Sequence, residues 1–326
     1  MITQKLFGVT KDGHKVHAYT ITNERGISVT VLDYGATLQS VVLPHMGKAV
    51  DVVLGYDTVA EYEQNDGYLG ASIGRFAGRI PGSLLRVGDE VCSVTANEGL
   101  NHLHGGRVGF DKRMWFTDVG NDAVMFTIDS KDGEEGYPGD LRCTVTSTLS
   151  GDTLTYAYTG KANRMTAWNP TNHAYWNLNG HETGRARLHW LEIPANRYVP
   201  VRPDKIPIAL EADTADTPFD FRSSRIILGS YDHSFILSGG PIRLSGNQGI
   251  RMEITTDCKA VQFYDAEYLS ERKGKGGAVY RPFGAVCLET QGRQTLRGNS
   301  VYEENILYEG LPQTRTTQIR FLYTEG

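Results

Sequence analysis

The chain is predicted to be all-β, a large antiparallel sandwich, on three observations. Apolar residues recur with a period of two in segment after segment, turn signals rich in Gly, Asn and Asp separate those segments, and helical periodicity is scarce. Alternation sends successive side chains to opposite faces of a strand, so that one face is buried.

The elements follow in chain order. Ile27, Val29 and Val31 alternate with Ser28 and Thr30 and read as a strand. Asp57 to Gln64 reads as one short helix with Asp57 as its N-cap. After the turn Gly120-Asn121-Asp122, the residues Val124, Phe126 and Ile128 mark another strand. In Leu141-Arg142-Cys143-Thr144-Val145 the cysteine falls on the apolar phase, which predicts a buried free thiol. Leu154, Tyr156 and Tyr158 follow the turn Gly151-Asp152, and Ile319, Phe321 and Tyr323 repeat the alternation near the end. The 37 glycines suit a chain that turns often. No strand–helix units carry Gly-x-Gly-x-x-Gly, which excludes a doubly wound fold. No repeat of roughly 20 to 50 residues is visible, which argues against a propeller. Without a linker, residues 1–326 read as a single domain, long enough to bury a sizeable core.

A formal net charge of -5 and a pI of about 6.0 exclude a field built for nucleic acid or an anionic membrane. No apolar run approaches the ~20 residues that span a bilayer. Met1-Ile2-Thr3-Gln4-Lys5 lacks the apolar stretch of a signal peptide, and Asn169-Pro170-Thr171 is disqualified as a glycosylation acceptor by its proline. Cys92, Cys143, Cys258 and Cys287 form no Cys-x-x-Cys pair, which excludes a thiolate zinc site. A cytoplasmic protein is expected, either a monomer or a homodimer, since sandwich faces can pair.

Candidate chemistry starts from the histidines, which titrate nearest to neutrality. His14, His17, His45, His181 and His189 lie in ordinary company. His102 and His104 occur in Asn101-His102-Leu103-His104-Gly105-Gly106, and at i and i+2 they would share one face of a strand as a chelating pair. A third ligand and a His-Glu-x-x-His helix are lacking, so core or sugar hydrogen bonding is preferred to a metal. His173 lies in Thr171-Asn172-His173-Ala174-Tyr175-Trp176-Asn177, where amides match mixed sugar hydroxyls and aromatic rings can cover a pyranose C–H face. A buried turn with satisfied amides fits that composition equally well. His233 follows Asp232 in Tyr231-Asp232-His233. Glu289 ends the apolar stretch Ala285-Val286-Cys287-Leu288; it reads either as a salt-bridged edge carboxylate or as a desolvated base.

Taken in order, several segments resemble the aldose 1-epimerase (galactose mutarotase) family over almost the whole chain. They are Asp33-Tyr34-Gly35-Ala36-Thr37-Leu38, Gly74-Arg75-Phe76-Ala77-Gly78-Arg79-Ile80, Leu103-His104-Gly105-Gly106 and Asp132-Gly133-Glu134-Glu135-Gly136-Tyr137-Pro138-Gly139. The segments Thr171-Asn172-His173-Ala174-Tyr175-Trp176, Tyr231-Asp232-His233, Val261-Gln262-Phe263-Tyr264 and Leu288-Glu289-Thr290-Gln291 complete the series.

The resemblance implies a β-sandwich of the galactose-mutarotase type, an isomerase acting on a free aldose, and neither metal nor organic cofactor. It implies Glu289 as catalytic base and His173 as catalytic acid. Arg79, His104, Asp232 and Gln262 would hold the sugar hydroxyls, with His104 assisting at the ring oxygen. Asn172 and Trp176 are added to the site from their neighbourhood. The sequence departs from the family at Gly78, where many members carry Asn, and at Trp176, where Phe is common. After Glu289-Thr290-Gln291 it reads Gly292-Arg293-Gln294-Thr295-Leu296-Arg297-Gly298 in place of a Pro-Asp-Ser-Pro-Asn-like loop, so the mouth of the site is expected to differ in shape and charge.

Three rival readings remain. A hexose-6-phosphate epimerase would grip its phosphate with Arg293 and Arg297, or with Lys273-Gly274-Lys275-Gly276-Gly277, a stretch otherwise expected as a mobile surface loop. A carbohydrate-binding module would need neither His173 nor Glu289. A glycoside hydrolase would need two carboxylates such as Asp232 and Glu289.

Overall fold

The computed structural model describes residues 1–184, 186–208, 210–294 and 299–325. They form an almost entirely β structure built from antiparallel sheets. A five-stranded meander holds Ile2–Val9, Lys15–Thr22, Ser28–Leu32, Thr37–His45 and Lys48–Asp51 in sequence order. A nine-stranded sheet runs from Phe116–Val119 through the long strands Ala123–Ser130, Leu141–Ser150, Thr153–Ala162 and Gln313–Leu322 to the edge strand Arg225–Ile226. A six-stranded sheet has the order Tyr175–Trp176, Val286–Gln291, Ala260–Tyr264, Asp232–Leu237, Ala195–Val199, Ala212–Asp213.

The alternation in sequence sets what lies between these sheets. Val124, Phe126 and Ile128 are buried with Val145, Tyr156, Ile319 and Phe321 from the nine-stranded sheet. Val29, Val31 and Val41 of the meander join the same cluster, as do Phe235, Val261, Phe263, Val286 and Leu288 of the six-stranded sheet. Cys143 is fully buried within this core and is a free thiol, as its phase on the strand predicts.

The strand Val286–Gln291 is buried along its whole length, as its apolar start suggests. Its two faces nonetheless go to different places. Val286 and Leu288 enter the main core, whereas Cys287 joins a second cluster with Tyr175 and Tyr280, and Glu289 turns to a cavity on that same outer face.

Two local expectations are corrected. The short helix spans Val59–Glu63 and its N-cap is Thr58, not Asp57. Thr58 accepts from the Glu61 backbone N–H at 3.3 Å while the Glu61 carboxylate accepts from the Thr58 N–H at 3.0 Å, a reciprocal capping box. Asp57 instead accepts from the Gly276 N–H at 2.7 Å. That bond belongs to the second correction, since the Lys-Gly stretch does not lie loose on the surface. Lys275 is buried, and its ammonium donates to Asp51 Oδ2 at 2.6 Å and to the Gln39 carbonyl at 2.8 Å. No helix among the described residues is long and apolar enough to cross a membrane.

Candidate active site

A cavity of about 180 Å³ opens over the outer face of the six-stranded sheet. Its floor follows from the pairing register and the two-residue period. Gln262 lies opposite Glu289 across the Ala260–Tyr264 and Val286–Gln291 pair, and Asp232 lies opposite Tyr264 on the next strand. Tyr175 lies opposite Cys287 at the sheet edge, and His173, two residues earlier, keeps the same phase.

The walls come from loops. The strand pair Arg79–Ile80 and His102–Leu103 sets Arg79 opposite Leu103, and the chain then turns at His104, whose φ is 51°. Gly105 follows at φ 89°, where a Cβ would lie 1.8 Å from the Gly74 carbonyl oxygen, so only glycine lets the two loops approach this closely. The turn separates the two histidines of this motif, so they do not share one strand face as a chelating pair would. His102 keeps both ring nitrogens occupied, by the Thr95 carbonyl at 2.7 Å and the Tyr137 hydroxyl at 2.6 Å, while His104 reaches the cavity.

Within the cavity His173 Nε2 stands 3.7 Å from Glu289 Oε1, and both side chains are almost completely buried. Glu289 Oε2, His173 Nδ1 and Gln262 Oε1 have no hydrogen-bond partner among the described residues. Burial pushes the Glu289 carboxyl well above the usual range; the nearby Asp232 carboxylate adds to the rise and Arg79 opposes it. Burial also lowers His173 to about 4. His104 is lowered well below its ordinary value, first by burial and then by the proximity of His173. Its Nδ1 accepts from the Gly78 N–H at 3.2 Å, which assigns the ring proton of neutral His104 to Nε2.

The polar groups around this pair are held in turn. Arg79 is forked by Glu98, at 2.6 Å from Nε and 2.8 Å from Nη2, and its Nη1 lies 3.5 Å from Asp232 Oδ2. Gln262 Nε2 donates to Asp232 Oδ1 at 2.6 Å, which orients its carbonyl oxygen away from that bond. Tyr68, Tyr175 and Tyr264 surround the histidines, with Tyr175 stacked on His173 at 5.1 Å between ring centroids.

The structure therefore brings Glu289, His173, Arg79, His104, Asp232 and Gln262 to one cavity. It leaves Trp176 and Asn172 outside it. Trp176 is one residue out of phase with Tyr175, faces the main core and packs against Phe321 at 6.0 Å. Asn172 is likewise out of phase with His173, and its amide nitrogen donates to the Gly70 carbonyl at 2.8 Å. Counting by two from His173 would have selected Tyr175 and rejected both. His233 also points away, its ring packed on Phe219 at 4.6 Å. Tyr68 and Gln294 line the cavity from irregular segments and Arg272 from the two-residue strand Arg272–Lys273, where no periodicity announced them.

His104, His173 and Glu289 have ligand-type atoms within 4.8 Å of one another, a two-histidine, one-carboxylate set of the kind that can hold zinc. Of the cations considered for a phosphate, Arg293 is already paired with Glu304 at 2.8 Å and stacked on Tyr302, and Lys275 is paired with Asp51. Arg297 lies outside the described residues.

Comparison with known proteins agrees with this geometry. The family model described as aldose 1-epimerase matches residues 17–294. The chain belongs to the aldose 1-epimerase family. It is 35% identical to an aldose 1-epimerase of Haemophilus influenzae over 310 residues, covering 89% of this chain and 90% of the relative. It is 34% identical to a galactose mutarotase of Mus musculus, covering 98% of both chains. A crystal structure of an aldose epimerase homologue from C. elegans superimposes with a TM-score of 0.88 at 28% identity, covering 94% of this chain and 98% of that one. The aldose 1-epimerase family places this chain among the isomerases, on a β-sandwich of the galactose-mutarotase type.

Proposed function

We propose that the chain interconverts the α and β anomers of a free hexose, with Glu289 and His173 as the proton-transfer pair. The observation that carries this reading is the buried carboxylate–imidazole pair, 3.7 Å apart, each with a polar atom that has no partner among the described residues, beside a cavity of about 180 Å³.

An anomer changes configuration when the hemiacetal opens, C1 rotates about its bond to C2, and the ring closes from the other face. Opening moves one proton from the anomeric hydroxyl to the ring oxygen, and closing returns it. Glu289 as carboxylate takes the hydroxyl proton while His173 as imidazolium protonates the ring oxygen. The pair is then left as carboxylic acid and neutral imidazole, which is the state that recloses the open aldehyde. One shared proton therefore serves both half-reactions, and the two groups titrate as a unit. Burial favours the acid–imidazole form in the empty pocket, and hydroxyls donating to the unpartnered Glu289 Oε2 favour the carboxylate form when sugar is bound. His104 Nε2–H supplies a fixed donor, while Arg79, Asp232 and Gln262 hold the remaining hydroxyls and leave C1 free to turn.

No electron or chemical group leaves the substrate, so proton transfer alone completes the reaction. With Glu289 and His173 as proton carriers and His104 as a fixed donor, a metal is superfluous; dialysis against EDTA should leave the rate unchanged, and a loss restored by zinc would assign the trio to a metal instead. The four free cysteines support placing this activity in the reducing cytoplasm.

Polarimetry of freshly dissolved α-D-glucose and α-D-galactose tests the reading. Wild type should hasten the approach to the same final rotation, and Glu289→Gln and His173→Ala should each abolish most of the acceleration. An unchanged spontaneous rate with wild type on both sugars would refute it.

A further inference from the structure

Gln294 follows the strand that carries Glu289 and lies in the segment whose sequence departs from the family. It lines the same cavity, and the residue is only 5% exposed. Its carboxamide makes no hydrogen bond to any described residue. Two donors and an acceptor thus face a polar cavity without a partner among the described residues, where such groups are normally satisfied.

Gly78 explains how the carboxamide fits. It has φ +86°, and a Cβ there would lie 2.3 Å from Gln294 Cδ, 2.5 Å from Nε2 and 2.6 Å from Oε1. A side chain at position 78 and the Gln294 carboxamide in its present place exclude one another. The Gly78 N–H also donates to His104 Nδ1, which puts the carboxamide beside the His104 edge of the cavity.

We infer that Gln294 is a substrate-binding residue of this site, a carboxamide admitted by glycine at position 78 that recognises a sugar ring hydroxyl other than the anomeric one. The inference rests on the free-aldose reading. A carboxamide does not titrate near neutrality, so Gln294 contributes to holding the sugar and not to moving the proton. It also accounts for the departure at position 78: the polar contact enters from the segment after the catalytic strand.

The test is steady-state mutarotation by wild type, Gln294→Ala and Gly78→Ala on D-glucose, D-galactose and their 2-, 3-, 4- and 6-deoxy analogues, with thermal unfolding as a check on folding. Gln294→Ala should raise KM about 10-fold with kcat nearly unchanged, the size of one hydrogen bond to a neutral hydroxyl. That penalty should vanish for the one deoxy analogue that lacks the recognised hydroxyl. Gly78→Ala should displace the carboxamide and raise KM for the same sugars, and adding it to Gln294→Ala should increase KM no further on those sugars.

A KM within about 2-fold of wild type on every sugar would overturn the inference, as would a fall in kcat shared by all analogues with a lowered unfolding temperature. An inactive wild type would sink the free-aldose reading instead, so the two failures are distinguishable.

Discussion

The two faces of the six-stranded sheet use the same strands and the same backbone bonds for opposite ends. On the inner face Trp176, Phe235, Val261, Phe263, Val286 and Leu288 are buried against the other sheets and are apolar. On the outer face Tyr175, Asp232, Gln262, Tyr264 and Glu289 are polar or polar-tipped, and the Glu289 and Gln262 side chains each keep an oxygen without a partner among the described residues. An unsatisfied buried polar group costs about 1–3 kcal/mol, whereas a well-packed aromatic contributes as much or more. Stability and chemistry are therefore separated by a single step along the strand, and the inner face offsets what the outer face costs.

The largest effect that would sharpen this contrast is on rate. Glu289→Gln preserves shape and removes the proposed proton acceptor, and we expect kcat to fall by about 10²- to 10⁴-fold in the polarimetric assay while the fold persists. The mirror experiment lies one strand away. Phe263→Ala on the inner face should cost about 3–5 kcal/mol in urea unfolding while the surviving folded enzyme keeps its KM. If Glu289→Gln unfolded the protein and Phe263→Ala did not destabilise it, the two faces would not be divided as described.

The next effect is the pH profile. On the proposed mechanism turnover needs one proton on the Glu289–His173 pair, so activity should be lost in acid as His173, lowered to about 4, takes a second proton. It should be lost in base as Glu289, raised by burial, gives up the last one. A kcat/KM profile with its acid limb near pH 6.5, the ordinary histidine range, would show that burial does not control this imidazole.

The same period of two explains what was legible in the sequence. The alternating strands, the buried Cys143 and the absence of repeats were readable because a strand's pattern is local. The inner and outer residues of Val286–Gln291 were harder, because both faces are buried and composition alone does not say which one meets a cavity. Asn172 and Trp176 were drawn into the site by proximity in sequence, although phase excludes them. His102 and His104 show the reverse limit: strand geometry pairs them, and a positive φ at His104 parts them. Tyr68 and Gln294 enter from loops, and their positions depend on long-range folding that no window of sequence contains.

A smaller effect tests the phase argument directly. Trp176→Phe should leave KM for glucose and galactose within about 2-fold of wild type, since the ring faces Phe321 and not the cavity. A large rise in KM with unchanged unfolding would return Trp176 to the site.

The smallest expected effect reverses the usual cost of mutation. Glu289 has a folded-state pKa well above its ordinary 4.5, raised first by burial and then by Asp232. Below pH 4.5 the group is protonated in both the folded and the unfolded chain, and the ionisation penalty is absent. As pH rises past 4.5 the unfolded chain ionises first, which opposes folding increasingly until the folded carboxyl also ionises. Glutamine never ionises. Glu289→Gln should therefore stabilise the protein by about 1–2 kcal/mol at pH 7, a rise of about 1.5 °C per kcal/mol in Tm for a chain of this length, and give no gain at pH 4. A Tm difference that is the same at both pH values would mean that packing, and not the buried charge, sets the cost of the outer face. A gain confined to the higher pH would mean that this enzyme keeps its base at the expense of its own stability.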